Sequence, residues 1–202
     1  MKKVLCILLV AVCLFSLVGC SPLFPLTGLF NGIYYAANPD YEAEDATFFL
    51  DDLSITLTDA FYLSDEYDGY AWYDSTSGTS VCIEKHLFGA SDYEAGYSVA
   101  EYAEQLRASI IEENGGEDGF ASGYSDIVTE GEFAYFTYDA KFIFSFKYMD
   151  VVYKTNSAMY NVCFMCDLSK YDTYEEYFMR WARSAVINNS NAIAMLGFCE
   201  WV

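Results

Sequence analysis

Histidine is almost missing from this chain: His86 is the only one in 202 residues. That leaves little room for Ser-His triads, His-based acid–base dyads or His-rich metal sites. Basic residues are scarce too, with 10 Lys and Arg against 30 Asp and Glu for a net charge of −20. Nucleic-acid binding needs clustered cations against phosphate, so no nucleic-acid partner is expected. The sequence has no G-x-S-x-G, S-x-x-K, Walker loop or H-E-x-x-H, and the familiar enzyme signatures are therefore absent. Nor does any repeat of about 20 to 50 residues point to a solenoid. What is abundant argues against disorder, because the chain is 54% hydrophobic and 19% aromatic.

The first segment carries an address. Met1-Lys2-Lys3 is a short positive start, and Val4 to Val18 is an apolar run broken only by Ser16. Such a run falls short of the roughly 20 residues of a membrane span but suits the apolar region of an export signal. It ends in Leu17-Val18-Gly19-Cys20, which resembles the lipobox of bacterial lipoproteins. The resemblance implies a thioether-linked diacylglycerol on Cys20, cleavage before Cys20, and acylation of the new amine by a palmitate-type chain. The expected location is the extracytoplasmic side of the cell membrane, with the bilayer as a partner through acylated Cys20. Residues 1–19 contain Lys2, Lys3 and no acids, so the mature chain holds 8 bases against 30 acids, a net −22. That charge repels anionic headgroups and stands the domain off the bilayer.

Residues 20–46 read as the lipidated cysteine and a tether, with Pro22, Pro25, Pro39, Gly28 and Gly32 as punctuation. Leu23 to Ala37 is apolar for a linker and lies either against the membrane or on the domain. A domain is expected over 47–188 and a tail over 189–202. Leu53, Ile55 and Leu57 alternate with polar neighbours as a half-buried strand. Tyr70–Tyr73 and Val81–Leu87 flank a Ser/Thr/Gly turn as a hairpin. In the second arm Val81, Ile83 and Leu87 share one face and Cys82, Glu84 and His86 the other. Ser98 with Glu101 predicts a capped helix carrying Val99, Tyr102, Ala103, Leu106 and Ile110 on one side, ended by Asn114-Gly115-Gly116. Phe133–Tyr138 and Phe142–Tyr148 read as strands, with Val151–Lys154 continuing the second after a bend. Met159–Cys166, apolar on both faces apart from Asn161, reads as a central strand. Thr173 with Glu176 predicts the cap of a second helix bearing Tyr174, Tyr177, Phe178, Trp181 and Ala185. This order predicts an α+β fold with an antiparallel sheet.

Leu53-Ser54-Ile55-Thr56-Leu57, Ser98-Val99-Ala100-Glu101-Tyr102-Ala103, Tyr153-Lys154, Phe164-Met165-Cys166 and Trp181 to Val186 together resemble bacterial lipoproteins of the PsbP-like fold. That fold is named after an extrinsic subunit of photosystem II and is shared by a eukaryotic Ran-binding protein. The resemblance covers roughly residues 48 to 188. It implies a central antiparallel sheet flanked by helices on both faces, an α/β/α sandwich. It implies binding or assembly-assisting roles and supplies no catalytic residue.

Several residues invite chemistry. Cys163 and Cys166 sit three apart in a predicted strand, on opposite faces and about 10 Å apart at a rise of ~3.3 Å per residue, too far for a mutual disulfide. They are expected as buried thiols, or one of them pairs with Cys82 or Cys199. Cys82, Glu84 and His86 on one strand face are candidate metal ligands, although a solvated face gives the same pattern. Asp65-Glu66-Tyr67-Asp68-Gly69 lacks the spacing of a calcium loop and reads as an acidic turn. Tyr34, Tyr35, Tyr41, Tyr67, Tyr70 and Tyr73 lie outside the core patterns, and Tyr67, Tyr70 and Tyr73 are taken as a candidate binding set. The expectation is a non-enzymatic, membrane-anchored surface lipoprotein that needs no cofactor and binds a protein or envelope component. The alternatives are a small-ligand or metal-binding lipoprotein and an envelope hydrolase using two carboxylates.

Overall fold

A computed structural model describes residues 40–88, 96–116, 119–141 and 144–188. The export segment, Cys20, the tether up to residue 39 with Tyr34 and Tyr35, and the 189–202 tail with Cys199 lie outside the described residues. The chain runs β1 (Asp45–Leu50), β2 (Leu53–Thr58), β3 (Phe61–Tyr67), β4 (Tyr70–Ser75), β5 (Ser80–Leu87), α1 (Val99–Glu113), β6 (Ala121–Ser122) and β7 (Val128–Glu130). It continues with β8 (Phe133–Lys141), β9 (Ser145–Lys154), β10 (Ala158–Asp167), a 3-10 turn at Leu168–Lys170, α2 (Tyr171–Arg183) and β11 (Val186–Ile187).

Eight strands form the main sheet in the order β3-β4-β5-β10-β9-β8-β6, with β7 also on β8, and β1-β2-β11 form a second, smaller sheet. All the described pairings are antiparallel. The central position of β10, between β5 and β9, explains its two apolar faces. Tyr160, Val162, Phe164 and Cys166 enter one core and Met159 the other.

The first core lies between one face of the main sheet, the small sheet and α2, where Trp181, Phe178, Phe164 and Ile55 are fully buried. The second lies under α1, whose Ala103, Leu106 and Ile110 pack on Ala134, Phe136 and Val152. Ser98 Oγ accepts from Glu101 N at 3.2 Å, and the Glu101 carboxylate accepts from Ser98 N at 2.8 Å, so the first helix is capped as its sequence predicts.

Five expectations need correction. The sheet is not simply a layer between helices, because α1 stands on one face and α2 shares the other with the small sheet. β2 is buried on both faces rather than one: Leu53, Ile55 and Leu57 enter the first core, while Ser54 on the other face is covered by the chain at Val186, whose carbonyl accepts from its hydroxyl at 3.4 Å. The second helix starts at Tyr171, ahead of Thr173. Asp167 Oδ1 instead caps the preceding 3-10 turn by accepting from Ser169 N at 2.8 Å. The domain also begins before residue 47: Asp45 opens β1, and the Tyr41 ring stacks 4.2 Å from Tyr177 on α2. The acidic flanks of Tyr41 had disguised it as tether. β9 runs without the bend expected before Val151.

Candidate functional site: a pocket beneath the β3–β4 hairpin

One extra residue is absorbed in the strand beside this site. In β3, Leu63 pairs with Tyr73 but Asp65 pairs with Trp72, leaving Ser64 as a bulge. Side chains of an unbroken strand alternate strictly, so the bulge shifts the later residues to the opposite face. Phe61 therefore enters the first core, while Asp65 and Tyr67 share the α1 face with Trp72 and Tyr70. The Asp68-Gly69 turn returns the chain, with Gly69 at φ 75°. Lys85 N donates to Gly69 O at 2.7 Å, pinning the turn to β5. A Cβ on Gly69 would lie 3.3 Å from Lys85 O. The pinned turn stacks the Tyr67 and Tyr70 rings 4.3 Å apart at 10°, and Tyr70 is the register partner of Glu84.

Between this hairpin, β5 and α1 lies a cavity of about 260 Å³ lined by Tyr67, Asp68, Gly69, Tyr70, Glu84, Lys85, His86, Tyr102, Leu106 and Asn161. The Tyr102 ring stands 6.2 Å from the His86 ring. Lys85 contributes no cation here, because its ammonium is held by Asp51 Oδ2 at 2.8 Å and stands over the Tyr160 ring. Tyr160 faces the first core, on the other side of the sheet. Glu84 is exposed at one edge yet has lost enough hydration to raise its pKa.

A polar row runs behind the cavity. Cys82, Cys163 and Asp150 are successive register partners across β5, β10 and β9. Asp150 is 2% exposed, and its Oδ1 accepts from Asn161 Nδ2 at 2.8 Å. Asp150 Oδ2 and Asn161 Oδ1 are both buried without a hydrogen-bond partner. Burial pushes the Asp150 carboxyl up to about 6, against the opposing help of Asn161, Cys163 and Tyr138. Burial, with Glu84 beside it, pushes the Cys82 thiol up to about 12. Burial, and then the neighbouring Asp150, hold the Cys163 thiol well above its ordinary value. These are poor nucleophiles at neutral pH.

The structure thus gathers Tyr67, Tyr70, Glu84 and His86 at one cavity, with Cys82 behind Tyr70, whose hydroxyl donates toward the sulfur. Tyr73 does not join them. It points into the first core at 6% exposure, and its hydroxyl donates to Phe49 O at 3.3 Å. Tyr73 is two β4 residues beyond Ala71, a core position, and that parity was the clue. Cys82, Glu84 and His86 share a face as expected, but they are strung out along it. Among the described residues no three His, Cys, Asp or Glu side chains could surround a metal ion. Cys166 is buried in the first core, while Cys163 lies on the α1 face directly opposite Cys82; all three are free thiols. Sequence reasoning missed Tyr102, Leu106, Asn161 and Asp150 as site residues. Tyr102 and Leu106 belong to a helical stripe that reads as core, and Asp150 falls at the bend expected in β9.

A main antiparallel sheet with α1 on one face and α2 beside a small sheet on the other is a PsbP-like α+β fold. The chain is similar to the solution structure of cyanobacterial PsbP (CyanoP) from Synechocystis sp. PCC 6803, with a TM-score of 0.51 and 8% identity over 75% of this chain and 95% of that one. At such low identity the likeness shows the fold alone. No protein-family model matches the sequence, and neither does any curated protein.

Proposed function

We propose that the chain is a non-enzymatic binding module, anchored to the outer side of a cell membrane through acylated Cys20, which engages its partner at the cavity beneath the β3–β4 hairpin. The observation that carries this reading is the convergence of Tyr67, Tyr70, Glu84 and His86 at one opening of about 260 Å³. Tyr67 stands 60% exposed at the rim, and an ordered, amphipathic aromatic pair loses little conformational entropy on contact.

Two experiments test the two halves. Labelled palmitate should enter the full-length protein in cells and be lost in Cys20→Ser; equal labelling of the variant removes the anchor. Crosslinking in intact cells followed by detergent extraction should trap a saturable partner that disappears in a Tyr67→Ala, Tyr70→Ala double variant. An unchanged crosslink pattern in a folded double variant refutes the site.

A further inference from the structure

We propose that the cavity receives an organic cation, the guanidinium or ammonium head of a basic side chain on a protein partner, with Glu84 as its counter-charge and the stacked Tyr67 and Tyr70 rings as its aromatic wall. This rests on the binding-module reading and adds the chemistry of what is bound.

The polar balance of the cavity is one-sided. Glu84 pairs with no cation among the described residues, and the ammonium of Lys85 is spent on Asp51 at 2.8 Å. Asp68 lines the same cavity beside Glu84, so two carboxylates and no free ammonium face the opening. An anion would meet that negative charge, whereas a cation carrying N–H groups supplies both the charge and the hydrogen bonds that Glu84 can accept. The stacked Tyr67 and Tyr70 rings add an aromatic face for the same cation.

Size favours a side chain over a larger free ligand. Pockets for drug-sized molecules span roughly 300–1,000 Å³, and this cavity is about 260 Å³. The exposed Tyr67 at its mouth offers a partner chain further contact. A mature chain of net −22 draws basic partners from a distance.

The test is calorimetric titration of the full-length protein in mild detergent at about 0.15 M salt, where long-range attraction is screened. The probes are N-acetyl-arginine methylamide, its neutral isostere N-acetyl-citrulline methylamide, and the free diamine putrescine. The arginine probe should bind saturably on the order of millimolar and the citrulline probe should not. Glu84→Gln should weaken the arginine probe about tenfold or more, while Glu176→Gln, an exposed charge on α2, should leave it unchanged. Equal weakening by both variants, or equal binding of citrulline, overturns the proposal. Putrescine binding more tightly than the arginine probe overturns the partner side chain as the source. The crosslinking arm separates the two readings. A Tyr67-dependent crosslink that survives both Glu84→Gln and excess arginine probe sinks the cation but keeps the module. Loss of neither crosslink nor heat in any variant sinks both.

Discussion

Asp150→Asn should make this protein more stable at neutral pH, although it removes a charged acceptor from a hydrogen-bonded network. Asp150 is 2% exposed and spends one oxygen on Asn161 at 2.8 Å. The other carboxyl oxygen and Asn161 Oδ1 are buried acceptors with no donor in hydrogen-bond geometry, although the Tyr138 hydroxyl and the Cys163 thiol stand close to the carboxylate. A proton, or an amide N–H in its place, is the donor this pair lacks. Burial accordingly raises the carboxyl from 3.8 to about 6. A group whose pKa rises on folding stabilises the fold fully below the unfolded value and loses that contribution as pH climbs through the folded value. Here the loss runs from about pH 4 to about pH 6. At about 1.4 kcal/mol per tenfold, it amounts to about 3 kcal/mol by pH 7. Asparagine keeps the oxygen that Asn161 uses and cannot ionise. Urea unfolding of the full-length protein in mild detergent, run between pH 4 and pH 8 on both proteins, isolates Asp150 in the difference between them. The variant should match the parent near pH 4 and exceed it by about 2–3 kcal/mol at pH 7. Equal pH slopes, or a variant weaker at pH 7, would refute the reasoning.

Four further outcomes follow from the same structure. Ser98→Ala removes the N-cap of α1 and should cost about 1 kcal/mol in urea unfolding, with no change if the cap is idle. Trp181→Ala, at a side chain 1% exposed, should cost about 3–5 kcal/mol. Trp181→Phe should cost clearly less, because the buried indole N–H has no partner to lose. Iodoacetamide at pH 8 should modify Cys82 far more slowly than an unfolded control, since a thiol at about 12 is only about one ten-thousandth thiolate there; peptide mapping that finds Cys82 modified at the control rate contradicts its burial. Gly69→Ala should destabilise by about 1 kcal/mol or more, given φ 75° and the 3.3 Å approach to Lys85 O, and should weaken partner crosslinking through Tyr67.

The elements whose periodicity matches their exposure were legible in the sequence. The capping box at Ser98 and Glu101, the β4–β5 hairpin and the two-faced central strand β10 all follow from local patterns. What escaped was set by non-local partners. β2 alternates as if half-buried, yet chain far along the sequence, from α2 to Val186, closes over it and leaves both its faces buried. Thr173 and Glu176 spell a cap, but Asp167 begins a 3-10 turn earlier and leads the helix in from Tyr171. In the site, Tyr67, Tyr70, Glu84 and His86 were visible because they broke core patterns. Asn161 and Asp150 were not, because their meaning lies in a register across β10 and β9 that spacing along the chain does not encode.

The bulge at Ser64 sets the terms on which this surface can change. Ser64 is the residue that the β3–β4 ladder leaves unpaired, so deleting that single codon would make Leu63 and Asp65 consecutive partners of Tyr73 and Trp72 and leave Tyr67 opposite Tyr70. A second residue lost from the same stretch would find no bulge to absorb it, and would turn Tyr67 to the opposite side and dissolve the aromatic wall. The core residues of β4, β5 and β10 would keep their places. Chains with this architecture can therefore differ by one residue in β3 and keep such a receptor, whereas a difference of two removes it. A shared fold then says little about a shared ligand, and the length of β3 is the first thing to compare between any two of them.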